Sequence, residues 1–187
     1  MTDTLDTRKN LPEHLRVLAQ KYPRDGWEGH SNFDELTRFW LDRHLMFRDV
    51  IGRIQSQTQD YLDGKAPRYA PELARYTGFF LNQLQGHHSI EDHHYFPVFN
   101  KLDSRLERAF DILDHDHHAL DAHIHGLAEK TNAVLEQIRA GQDASAAAGV
   151  LLIAQGGFEG FLNRHLFDEE EIIVPLVLEY APDMHGF

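Results

Sequence analysis

His87-His-Ser-Ile-Glu91-Asp-His-His-Tyr-Phe-Pro97 and His165-Leu-Phe-Asp-Glu169-Glu-Glu-Ile-Ile-Val-Pro175 carry one pattern twice: His-Xaa3-Glu, with a proline six residues after the Glu. All three marks repeat at an offset of 78 residues, 87 to 165, 91 to 169 and 97 to 175. A His and a Glu four apart project from the same helix face, one turn above the other. Two such faces turned toward each other present two imidazoles and two carboxylates to a common centre, which is the chemistry of a pair of metal ions.

Outward from these stretches the chain reads as helix almost throughout. Apolar residues recur at spacings of three and four, strict alternation is absent, and nothing reads as a hairpin. Residues 12–22 suggest a short helix. Ser31 reads as the N-cap of a helix running to about Leu62, where Asp63-Gly64 ends it. Pro71 fits a first helical position, and that helix runs toward Phe99. Ser104-Arg-Leu-Glu107 matches a capping box for a helix ending at Ala140 before Gly141. Asp143 or Ser145 opens the last helix, which continues to about Tyr180; Gly156, Gly157 and Gly160 suggest a close helix contact or a bend within it. Pro97 and Pro175 each remove a backbone donor and should bend or end their helices beyond the metal level.

Four helices of roughly 30 residues, about 45 Å each at 1.5 Å per residue, joined by short connections, make an all-α, up-down-up-down four-helix bundle. The expected organisation is an N-terminal extension at residues 1–30 with a short helix, the bundle at 31–180, and a C-terminal tail at 181–187.

Helical phase sorts the histidines. His44 lies within the stripe Phe33, Leu36, Trp40, Phe47, Ile51 and Ile54. His117 lies within Phe110, Leu113, Leu120, Ile124 and Leu127. His87 and Glu91 share a face with Tyr76, Phe80 and His94; His165 and Glu169 share one with Phe158, Phe161, Ile172 and Leu176. Each long helix therefore buries one His near its middle, and two add a Glu one turn on. Buried carboxylates need cationic partners. No Lys lies on these stripes and the nearest Arg is Arg48, so metal is the simpler compensation. His94 and Asp121, four after His117, are placed to reach inward; His88, His118 and His125 read either as edge residues or as residues behind the ligands.

Composition frames the chemistry. The chain has 187 residues, 42% of them hydrophobic, enough for one domain with a core. A net charge of −12 argues against a phosphate-binding nucleic-acid surface. Fourteen histidines and no cysteine leave imidazole and carboxylate as metal donors and exclude thiolate sites and disulfides. No run approaches the ~18 apolar residues of a membrane span, and the N-terminus lacks the apolar core of a secretory signal. The expectation is a cytoplasmic protein with no nucleic-acid or membrane partner; the sequence does not give its oligomeric state.

At these residues the chain resembles the hemerythrin-like family, the HHE cation-binding domains, over roughly residues 31–180. The marks are Trp40-Leu-Asp-Arg-His44-Leu-Met-Phe-Arg48, the two quoted stretches, and Asp116-His117-His-Ala-Leu-Asp121. The resemblance implies a non-haem, oxo- or hydroxo-bridged pair of iron ions inside a four-helix bundle, with manganese or zinc less typical. It implies His44, His87, His117 and His165 as terminal ligands and Glu91 and Glu169 as bridges, with Tyr76 and Arg48 as neighbours of the centre. The chain departs from the oxygen carriers of the family, which resemble a His-Xaa3-His pair where this chain has His117 and Asp121, and which commonly carry Asp at a spacing of five where it has Glu169 at four. Two octahedral ions offer about twelve positions; the six residues and a bridge leave about two. An open site of that kind favours reaction with peroxide, oxygen or nitric oxide, including catalase-like turnover in oxidative stress, over reversible carriage. The alternative is a non-catalytic module that binds or senses oxygen, nitric oxide or iron.

Overall fold

The computed structural model describes residues 4, 5 and 7–181; of the expected C-terminal tail, residues 182–187 lie outside the described residues. Among the described residues five α-helices follow one another: α1 (Glu35–Leu62), α2 (Tyr69–Ile90), the four-residue α3 (Phe96–Phe99), α4 (Glu107–Arg139) and α5 (Ser145–Tyr180). No strand occurs among the described residues. Glu91–Tyr95, between α2 and α3, form a turn of π-helix.

The helix ends explain themselves chemically. Asp34, not Ser31, caps α1: its Oδ1 accepts from both the Thr37 N–H and the Thr37 hydroxyl, each at 2.7 Å. α1 stops where Gly64 turns to φ +72°, with Lys65 N–H donating to the Asp60 carbonyl and Gly64 N–H to that of Tyr61. Gly141, at φ +68°, closes α4 with the same pair of bonds, Gln142 to Gln137 and Gly141 to Ile138. Both are Schellman closures that a Cβ would strain. α2 begins two residues before Pro71. The capping box expected at Ser104 is replaced by Asp103, which accepts from the Arg105 N–H, and Ser104–Leu106 form a 3-10 turn ahead of α4. Asp143 opens α5 by accepting from Ser145 N–H and hydroxyl.

The two prolines differ: Pro97 stands at a helix end as expected, α3 stopping at Phe99 two residues on, whereas Pro175 does not end its helix. Pro97 follows the π turn, in which Phe96 N–H reaches back five residues to the Glu91 carbonyl. The widened turn precedes a residue that has no N–H and whose ring would crowd the carbonyl four residues back. α5, by contrast, continues past Pro175 to Tyr180. Nor do Gly156 and Gly157 mark a close approach, since a Cβ at either would meet nothing within 4 Å.

The chain forms two compact units, and α1, α2, α4 and α5 each contribute to both. One comprises the described residues up to Leu45, His87–Ala119 and the described residues from Asn163 on; the other Met46–Gly86 and Leu120–Leu162. In the second unit α1 and α2 run antiparallel, with Phe47 against Phe80, Arg53 over Tyr76 and Thr58 bonded to Tyr69. Its core centres on Phe47, Phe80 and Phe158, whose rings meet edge to face at 6.2 and 5.7 Å. Tyr76 and Arg48 belong to this unit.

In the first unit α1 again opposes α2, with Trp40 beside Glu91 and His44 beside His87. α4 opposes α5, with His117 beside His165. The N-terminal extension joins its core: Leu11, Leu15, Leu18 and Trp27 are buried with Phe99, Phe110, Leu113 and Ile172. Each such burial contributes roughly 1.5–3 kcal/mol. The helix expected at residues 12–22 is absent; the segment makes 3-10 turns at Glu13–Leu15 and Arg24–Gly29, each preceded by a proline. Side chains satisfy its free carbonyls, Arg16 Nε donating to Leu11 and Trp27 Nε1 to Tyr22. Tertiary burial of its leucines outweighs the local preference for helix. By length and composition α5 could pass for a membrane-crossing helix, but Asp168, Glu169 and Glu170 on it are buried inside the first unit.

Candidate metal centre

Regular helix places His44, His87, His117 and His165 at one level of the first unit, exposed by 0%, 8%, 2% and 0%. Their Nε2 atoms converge in two pairs, His44 with His87 at 2.9 Å and His117 with His165 at 3.0 Å. Glu91 and Glu169, one turn beyond His87 and His165, are equally buried.

The carboxylates lie between the pairs. Glu91 Oε1 is 3.0 Å from His87 Nε2, while its Oε2 is 3.7 Å from His117 Nε2. Glu169 Oε2 is 3.3 Å from His165 Nε2 and 3.8 Å from His44 Nε2. Each Glu therefore addresses one imidazole of either pair. The Trp40 indole donates to Glu91 Oε1 at 2.7 Å and fixes that carboxyl from outside.

The outer edges of the imidazoles are held by other carboxylates. His44 Nδ1 is 3.0 Å from Glu170 Oε1, His117 Nδ1 is 2.6 Å from Asp92 Oδ1, and His165 Nδ1 is 3.5 Å from Asp116 Oδ2. An N–H on Nδ1 donating to a carboxylate leaves the Nε2 lone pair facing the centre, the form in which imidazole binds metal.

His88 joins the centre, although helical phase alone puts it at the edge of its helix. It is 3% exposed and stacks on His117 with centroids 4.1 Å apart. Neither of its ring nitrogens has a hydrogen-bond partner among the described residues. A buried imidazole left so is costly unless something else takes the lone pair. Two groups of donors within 4.8 Å of one another result: His88, His117 and His165, and His44, His87, Glu91 and Glu169. The doubled histidine at 87–88 is the one signal of this in the sequence. The other two candidates for inward reach, His94 and Asp121, are exposed. His118 and His125 are exposed too and bond to carbonyls four residues back.

The electrostatics ask for a cation. Burial, and then the proximity of Glu169, pushes Glu91 well above the ordinary carboxyl range. Burial, and then the neighbouring imidazoles, pushes His87 and His88 well below the ordinary value. Without added positive charge the centre resists both the carboxylate and the imidazolium forms; divalent cations reverse that preference for the carboxylate and use the neutral imidazoles as they stand. The donor set thus fits a metal centre built from nitrogen and oxygen ligands.

Beside Glu91 lies a narrow apolar cavity of ≈ 10 Å³, lined among others by Trp40, Tyr95, Phe99 and Ile173. It has room for about one water-sized molecule.

The family model of the hemerythrin HHE cation binding domain matches residues 35–177. No curated protein and no solved structure matches the chain.

Proposed function

The chain belongs to the hemerythrin HHE cation-binding family, and on that premise we propose that its centre holds two iron ions and binds one small oxidant: dioxygen, hydrogen peroxide or nitric oxide. The observation that carries two ions rather than one is the placement of Glu91, whose two oxygens face imidazoles of different pairs. Glu169, from another helix, also lies between the pairs, its Oε2 being 3.3 Å from His165 Nε2 and 3.8 Å from His44 Nε2.

The spacing of the imidazoles supports iron or manganese over tetrahedral zinc. Nitrogens about 2.1 Å from an ion stand about 3.0 Å apart at an octahedral right angle and about 3.4 Å apart at a tetrahedral one. The two pairs are separated by 2.9 and 3.0 Å.

His88 changes the coordination count. Five imidazoles, two bridging carboxylates and a solvent-derived bridge fill about eleven of about twelve octahedral positions. About one is left, where six protein ligands alone imply about two. One position beside a cavity with room for about one water-sized molecule suits only the smallest ligands and favours binding over turnover of anything larger. Iron, when bound, supplies the redox chemistry. The chain's residues hold the imidazoles in one tautomer through Asp92, Asp116 and Glu170, hold Glu91 through Trp40, and wall the centre from bulk water.

Peroxide dismutation is the second reading, favoured by the same open position, which hydrogen peroxide can also take. Anaerobic titration with ferrous iron tests the centre: two ions per chain are expected, then a near-ultraviolet charge-transfer band on oxidation. A Glu91→Ala, Glu169→Ala double variant should lose that band. Binding of one ion or none would overturn the proposal. Oxygen evolved from peroxide above the rate of free iron would select turnover; reversible binding of oxygen to the reduced protein would select carriage or sensing.

A further inference from the structure

Two arginines of the N-terminal extension, both ahead of the family-matched segment, reach toward the centre. Arg8 is 8% exposed. Its Nη1 donates to Asp116 Oδ1 at 3.0 Å, its Nη2 bonds Asp116 Oδ2, and its Nε donates to Asp168 Oδ2 at 2.9 Å. The Leu11 N–H donates to the other oxygen of Asp168 at 2.8 Å, so the strand of chain bearing Arg8 is pinned at two points. Asp116 in turn faces His165 Nδ1.

Arg24 repeats the device from the second 3-10 turn. Its Nη1 donates to Glu170 Oε2 at 2.7 Å, and the opposite oxygen of Glu170 is 3.0 Å from His44 Nδ1. Nε and Nη2 hold Glu171 Oε1 at 3.2 and 3.0 Å, and the guanidinium lies over the Trp27 ring at 4.4 Å. His165 belongs to one donor group and His44 to the other. The extension therefore sends one arginine–carboxylate–imidazole chain to each.

We propose that the N-terminal extension is a working part of the metal centre, in which Arg8 positions His165 through Asp116 and Arg24 positions His44 through Glu170. The proposal rests on the metal reading above for its consequence, though not for its geometry. A carboxylate gripped by a planar fork cannot swing away from the imidazole it orients. The guanidinium charge also draws density from that carboxylate, which tempers how strongly the imidazole donates to a bound ion. An ammonium in place of the fork keeps the charge and loses the fixed geometry. Arg8 is enclosed, whereas the Arg24 side chain is 43% exposed, so the His165 chain is the more rigid of the two.

The test uses the full chain with Arg8→Ala, Arg8→Lys, Arg24→Ala and Arg24→Lys. In metal-free protein, long-range proton–nitrogen spectra report the tautomer of each imidazole. Arg8→Ala should shift the His165 nitrogens and leave those of His44; Arg24→Ala should do the reverse. The Lys variants should fall between, and Arg8→Lys serves where Arg8→Ala does not fold. In iron-loaded protein, release to a ferrous chelator should quicken about 10-fold in one of two phases for each Ala variant. Equal disturbance of both imidazoles by either variant, or of neither, overturns the proposal. Failure of the wild type to bind two ferrous ions sinks the metal reading alone, because the imidazole spectra decide the arginine chains without metal.

Discussion

His88 lies flat against His117, with ring centroids 4.1 Å apart and planes 12° from parallel. The stack holds His88 in the donor group of His117 and His165, and it makes α2 the source of two imidazoles rather than one. Asp121, one turn beyond His117, is on the solvent side. His88→Ala should therefore weaken one of the two iron ions by at least about 10-fold, read by competition with a chelator. Asp121→Ala should leave both ions unchanged. A loss of iron in Asp121→Ala with none in His88→Ala would refute this assignment of the fifth imidazole.

Helix geometry explains why six donors are legible in the sequence, why His88, about 100° round the helix from His87, is not, and why Asp121 and His94 stay outside the centre. His44, His87, Glu91, His117, His165 and Glu169 sit on regular helix, or at its edge, where a step of four residues keeps a face. Asp121 escapes that logic because His117 stands at one margin of the buried arc that includes Leu113, Asp116, Leu120 and Ile124. Four residues on, the face has turned a further 40° or so, enough to leave that arc. His94 escapes it for another reason: the π turn at Glu91–Tyr95 adds a residue to the turn and rotates the chain beyond Glu91 off the face of His87. Nothing in the spacing announces a π turn except the proline after it. The arginine chains are illegible because they join residues 108 and 146 apart in sequence.

The Trp40 indole fixes Glu91 by a bond of 2.7 Å in a buried setting. Trp40→Phe keeps an aromatic ring and removes the donor. The metal-free protein should lose about 1–3 kcal/mol, the usual cost of an unmatched buried polar group. The iron-loaded protein should lose less, since Glu91 then has ions to bind. Urea unfolding of both forms measures the two losses, and equal losses would mean that the indole serves packing alone.

Metal binding should expel protons from Glu91 and not from His87 or His88. Burial holds Glu91 well above the ordinary 4.5, and holds His87 and His88 well below the ordinary 6.5. For the metal-free protein the signs run in opposite directions. The raised Glu91 contributes stability that is full below 4.5 and is lost as pH rises through its folded value. The depressed histidines contribute stability that is full above 6.5 and is lost as pH falls. Iron takes the place of the Glu91 proton, so the stability gap between loaded and metal-free protein should widen as pH rises. Titration calorimetry in two buffers of different ionisation enthalpy counts the protons released. Uptake of protons, or a gap that narrows with rising pH, would contradict this assignment of the proton to Glu91.

Far from the donors, Asp103 ties the start of α4 to the end of α5. Its Oδ1 accepts from the Arg105 N–H at 3.0 Å, and its Oδ2 from Arg105 Nη2 at 2.6 Å and the Tyr180 hydroxyl at 3.0 Å. The hydrogen bond from the Arg105 side chain leads in lowering its carboxyl to about 2, against a partial opposition from burial. A depressed carboxyl contributes stability that is full above its unfolded value of 3.8 and is lost as pH falls toward about 2. Asp103→Ala should cost about 0.5–2 kcal/mol near neutrality, the range for a lost helix cap. Asp103→Asn, which keeps the shape and removes the charge, should separate from wild type at pH 5 and converge with it below about pH 2. Thermal melts across that window measure the convergence. A difference that persists unchanged at the acid end would assign the contribution of Asp103 to its shape rather than its charge.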